Sequence, residues 1–232
     1  MNRPTLLFLP GLLENDEAFT EIIGGLSQSV ACVVADLTRS DSVAGLARDA
    51  LKQAPAGPFL LAGHSMGGYV ALEILRQAPE RVSKLALLNT NARPDSAESS
   101  ENRRRLMALA DKDFPAVTQA LLPKIMLAQH VGDPLLTAIV VSMADAIGPE
   151  AFKRQQLAII GRIDSRPHLK DIHVPTRVIA ARGDAIMPLE ILKELSDGIP
   201  GARLTIIEDS GHMASIEQPT AVLAAMKEWS SP

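Results

Sequence analysis

The 232 residues carry 23 Lys and Arg against 27 Asp and Glu, a formal net charge of −4, and 47% of them are hydrophobic. That length suits one α/β domain with an insertion, and the acidic balance argues against a nucleic-acid-binding face. The single cysteine, Cys32, excludes an internal disulfide.

The first apolar run, Leu6-Leu7-Phe8-Leu9, is short, is broken by Pro10 and Gly11, and leads into the acidic residues Glu14, Asp16 and Glu17. It reads as a strand over Thr5–Leu9 and not as a targeting signal. No apolar run approaches membrane-spanning length, so a cytoplasmic protein without membrane or nucleic-acid partners is expected. A helix over Ala18–Ser27 follows, then a strand over Val30–Ala35 that buries Cys32 as a core side chain, a helix over Val43–Gln53, a strand over Phe59–Ala62, a helix over Gly68–Gln77 and a strand over Leu85–Leu88. Short apolar runs alternating with helical periodicity mean βαβ units and a parallel sheet.

The pattern changes from Arg93 to Asp171, where four helical stretches replace it: Glu98–Ala110, Pro115–Ala128, Pro134–Ile147 and Glu150–Arg162. Gly132-Asp133-Pro134 and Gly148-Pro149 punctuate them, with proline placed to start the next helix. Arg103-Arg104-Arg105 reads as the solvated face of the first of these helices. Alternation resumes with strands Thr176–Ala181 and Arg203–Ile207 and helices Leu189–Leu195 and Thr220–Trp229. The expected organisation is a core domain of residues 1–92 and 172–232, with a helical lid of residues 93–171 inserted after the fourth strand.

Gly63-His64-Ser65-Met66-Gly67-Gly68 joins the third strand to the helix after it. A G-x-S-x-G turn between strand and helix strains the serine backbone and exposes its oxygen at the carboxyl edge of the sheet, beside the free N–H groups of the helix start. A serine nucleophile needs a base, and the base an orienting carboxylate. In a parallel sheet both belong past the ends of later strands, which is where Asp184 and His212 fall. Asp209 is the rival acid, three residues before His212 and poorly placed to orient its ring. His64, His130, His168 and His173 read as structural or surface residues, and no ligand cluster supports a metal at His168 and His173. The oxyanion hole is expected from the backbone N–H groups of Leu12 and Met66. Candidate pocket residues are Leu13, Met187 and Met213 beside the site, Met126 and Met143 on the lid, with core packing as their alternative, and Arg93, as a receiver for a substrate carboxylate or, alternatively, as a member of an ion pair.

With these motifs together, the chain resembles the α/β-hydrolase superfamily over nearly its whole length. It is most similar to small capped bacterial esterases and enol-lactonases. The resemblance implies a mostly parallel sheet of about six strands flanked by helices, without the family's opening hairpin. It also implies acyl transfer from an ester or lactone to water, with no metal or organic cofactor. Pro10-Gly11 replaces the family's His-Gly at the oxyanion loop, so that loop must be supported differently, and Asp36–Ser42 departs from the family pattern. Thioesterase, perhydrolase, lyase, transferase, C–C bond hydrolase and small-molecule receptor readings of the same three residues stay open.

Overall fold

The computed structural model describes residues 3–231. Strands β1 (Thr5–Leu9), β2 (Ala31–Val34), β3 (Phe59–His64), β4 (Val82–Leu88), β5 (Thr176–Ala181) and β6 (Arg203–Ile207) form one sheet of order β2-β1-β3-β4-β5-β6. Every neighbouring pair runs parallel. The inner strands β3 and β5 are buried along their full length, whereas the edge strands β2 and β6 are mostly half-exposed. This is why the inner strands read as continuous apolar runs rather than alternating ones.

Strand periodicity divides the core. Leu7, Leu9, Leu61, Leu85, Leu87 and Val178 face one side, with helices α2 (Val43–Gln53), α3 (Met66–Gln77) and α7 (Leu189–Gly198). Leu6, Phe8, Leu60, Ala62, Leu88 and Ile179 face the other, with α1 (Thr20–Leu26), the short α8 (Ala214–Glu217) and α9 (Pro219–Ser230). Successive side chains point to opposite faces, so each strand feeds both layers. Cys32 is half-buried on the edge strand rather than buried as expected, and desolvation pushes its thiol pKa up.

Between β4 and β5 lie α4 (Ala97–Ala110), α5 (Phe114–Ile125) and α6 (Pro134–Ile160). Ser96, Asp113 and Asp133 cap their N-termini, accepting from Ser99, Ala116 and Leu135 N–H groups at 3.0, 3.1 and 2.8 Å. The last two expected helices make up α6 and are separated by a kink at the non-helical Gly148 (φ 74°) ahead of Pro149. The proline forfeits a helical N–H and the glycine supplies the left-handed turn. Contrary to expectation, α6 is long and apolar enough to match a membrane span. Its bend divides it, and it packs on α4 and α5. The helix expected to reach Ala128 stops at Ile125, where Met126 turns extended.

Candidate active site

Ser65 occupies φ 51°, ψ −115° at the junction of β3 and α3. For a residue with a Cβ this is strained backbone, costing on the order of 1–3 kcal/mol. The turn closes only because its neighbours lack side chains. A Cβ on Gly63 would strike the Gly67 carbonyl, and one on Gly67 would strike the carbonyls of Leu9 and Pro10. The elbow is therefore pressed against the loop after β1. Leu88 accepts from the Ser65 N–H at 3.0 Å, and the Thr90 hydroxyl donates to the Ser65 carbonyl at 2.7 Å.

The expected partners converge on Ser65. Its Oγ lies 2.8 Å from Nε2 of His212, and Nδ1 of His212 lies 2.7 Å from Oδ2 of Asp184. A carboxylate accepts only, so Nδ1 carries the proton and Nε2 accepts from the serine hydroxyl. Asp184 Oδ1 also accepts from the N–H groups of Ile186 and Met187 at 2.8 and 2.9 Å, and Oδ2 from Asn89 Nδ2 at 3.0 Å. Burial pushes the Asp184 carboxyl up, but the imidazole and the amide donors outweigh it and hold its pKa below the ordinary value. The rival Asp209 makes no bond to the ring; its carbonyl accepts from Gln218.

The loop after β1 is held by groups that sequence reading did not single out. Glu14 Oε2 accepts from the Gly11 N–H at 2.8 Å and from His64 Nδ1 at 2.8 Å. His64 Nε2 lies 2.9 Å from the His212 carbonyl. Both partners of this ring are acceptors, so His64 donates twice and is an imidazolium paired with Glu14, both side chains almost fully buried. Burial opposes that charge, yet Glu14 and the His212 carbonyl raise the His64 pKa above its ordinary value. Gln155 accepts from the Leu13 N–H at 3.1 Å, and Leu13 adopts φ 61°. The N–H groups flanking Leu12 are thus tied down. The N–H groups of Leu12 and Met66 have no acceptor among the described residues. The expected change of loop support is this Glu14–His64 pair; the acid falls three residues beyond the Gly11 turn, a spacing that could have suggested it.

Other supports come from distant elements. Asn89 (φ 43°) at the end of β4 donates to Asp184 and to the His212 carbonyl, the latter at 3.1 Å. Glu217 accepts from the N–H groups of Gly211 and Leu127 at 3.0 and 2.8 Å and from His130, joining the His212 loop to the end of α5. Gln155 and Arg154 on α6 donate to the Leu37 and Thr38 carbonyls, fixing the departed Asp36–Ser42 loop. His168 and His173 stay near the surface, away from Ser65.

A cavity of about 230 Å³ opens on Ser65 and His212. Leu13, Met143, Met187 and Met213 line it as expected. Two pocket candidates lie elsewhere. Met126 does not line the cavity: its side chain joins the core on the α9 side of the sheet. Arg93 is spent on an ion pair, its Nε donating to Glu194 on α7 at 2.9 Å, and borders a different cavity. Arg103 is also corrected. It does not lie on a solvated face but lines the cavity at Ser65 and pairs with Asp95 at 3.2 Å.

The fold and this site define a class: the Alpha/beta hydrolase family pattern matches residues 6–225, and the chain belongs to that family. A protein named for carbamate hydrolysis, RutD of Azorhizobium caulinodans, is 29% identical over 185 residues, covering 77% of this chain and 69% of that one. A thermophilic esterase from Thermogutta terrifontis, solved with malate bound, superposes with a TM-score of 0.91 at 27% identity over 97% of this chain and 89% of its own. The enol-lactonase from Burkholderia xenovorans LB400 shares the fold with a TM-score of 0.88 at 23% identity, over 99% and 92% of the two chains.

Proposed function

We propose that this chain is a serine hydrolase that cleaves a carboxylic ester or lactone of a small to medium acyl substrate, with water as the final acyl acceptor. The carrying observation is the unbroken Ser65–His212–Asp184 chain of hydrogen bonds at 2.8 and 2.7 Å, opening on one cavity. His212 removes the Ser65 proton as Oγ attacks the carbonyl, and Asp184 fixes the ring tautomer and stabilises the imidazolium. The N–H groups of Leu12 and Met66 receive the oxyanion, each such donor being worth about 3–4 kcal/mol in the transition state. His212 returns the proton to the leaving group, and water then releases the acyl group by the same route.

In this reading residues 93–171 act as a lid on a core of residues 1–92 and 172–232. Aliphatic side chains of that segment, Leu106, Leu121, Ile125, Val140 and Met143, line the cavity and favour an aliphatic acyl group. Serine at the elbow favours acyl transfer over the carboxylate-nucleophile chemistries of epoxide opening and halide displacement. The esterase likeness at 27% identity supports the same class.

The test is steady-state hydrolysis of a p-nitrophenyl ester series, acetate to octanoate, by the wild type and Ser65→Ala. Wild-type turnover should fall by on the order of 10⁶-fold in kcat in the variant. Turnover that survives the substitution removes Ser65 from the chemistry.

A further inference from the structure

Besides the catalytic candidate His212 and the phenol of Tyr69, three ionisable side chains border the cavity at Ser65: Glu14, Arg103 and Lys124. Glu14 is already matched by His64 and the Gly11 N–H. The remaining charge is positive, and Arg103 is the better ordered part of it. Its Nε donates to Asp95, and its Nη1 donates to Gln156 Oε1 at 2.9 Å. Nη2 has no protein acceptor among the described residues. Asp95 does not cancel the charge, because it is shared: Arg162 Nη1 donates to it at 2.6 Å. Two guanidiniums therefore meet one buried carboxylate.

Two residues in the lining of the same cavity carry donors without partners. Gln156 is fully buried, and its Nε2 bonds nothing although its Oε1 is held by Arg103. Thr118 Oγ1 on α5 is likewise buried and unpartnered. Buried donors are rarely left unpaired, since the lost hydration is not recovered. Here α4, α5 and α6 each supply one donor-bearing residue to the lining of a cavity whose other walls are largely aliphatic.

Building on the serine-hydrolase reading, we propose that Arg103, Gln156 and Thr118 form a carboxylate subsite. The favoured substrates are then hemiesters of aliphatic dicarboxylic acids, or lactones bearing a free carboxylate, with the charge remote from the scissile carbonyl. A carboxylate offers acceptor positions for a guanidinium and an amide at once. This role, first expected of Arg93, passes to Arg103 because Glu194 occupies Arg93.

The test compares kcat/KM for mono-p-nitrophenyl adipate and p-nitrophenyl hexanoate, which differ by the terminal carboxylate. The wild type should prefer the adipate by roughly tenfold to a hundredfold, the range of a charged hydrogen bond. Arg103→Gln should bring the ratio to about one. No wild-type preference, or a ratio that survives Arg103→Gln, overturns the subsite. Because Arg103 also anchors Asp95, a second measurement avoids altering it: calorimetric binding of adipic acid monoamide and hexanamide to Ser65→Ala. At least roughly tenfold tighter binding of the monoamide supports the subsite, and equal binding overturns it. This arm needs no turnover, so failure of the Ser65 chemistry is separable from failure of the subsite.

Discussion

Ser65 at φ 51° is one of four non-glycine residues with positive φ among those described, and Leu13 and Asn89 belong to the same site. Their strain persists because hydrogen bonds from distant elements hold each in place. The Glu14–His64 pair is the most consequential of these supports, since it touches the Gly11 backbone and the His212 carbonyl together. Removing one member leaves an uncompensated buried charge, so Glu14→Ala should cost on the order of 3–5 kcal/mol in urea denaturation. The pH dependence has a definite sign. His64 has a raised pKa in the fold, so its contribution is fully present below the ordinary histidine value of 6.5 and is lost as pH rises through the raised one. Urea midpoints should fall across that alkaline interval in the wild type, and the fall should be reduced in His64→Gln. Equal slopes in the two proteins would refute the imidazolium assignment.

At the scale of elements, the elbow works through contact between α3 and the loop after β1. Gly67 is the pinch point, because a methyl group there meets the Leu9 and Pro10 carbonyls. Gly67→Ala should push the loop carrying Leu12 away from Ser65. We expect ester turnover to drop by about 10²-fold or more, the usual consequence of a misplacement near 1 Å, with far-ultraviolet dichroism preserved. Wild-type turnover in that variant would show that the loop is not positioned by the elbow. The elements themselves were legible where periodicity was strong: β1, α2, β5 and β6 match their expected ranges. Ends were less legible. α3 begins at Met66, two residues before its expected start, because the turn at Ser65 is set by contacts with β4 and Thr90. Gly148-Pro149 was read as a boundary between two helices, and the non-helical Gly148 sits at that boundary.

At the scale of the whole molecule, the parallel sheet gathers residues 65, 184 and 212 at one edge, and that convergence was readable because chain order and strand ends determine it. The supports were mostly not readable, the Gly11-to-Glu14 spacing apart. Glu14 meets His64, and Gln155 meets Leu13, across separations that no local pattern encodes. Arg93 and Arg103 show the same: a sequence shows two arginines near one segment, while only packing shows that Glu194 occupies the first and that the cavity borders the second. The central claim, that this assembly activates Ser65 as a nucleophile, is tested most directly by labelling with a p-nitrophenyl phosphonate and mapping the modified peptide by mass spectrometry. Stoichiometric phosphonylation at Ser65 with parallel loss of ester turnover, and no labelling in His212→Ala, is expected. Labelling at another residue, or full turnover after Ser65 is modified, would contradict it.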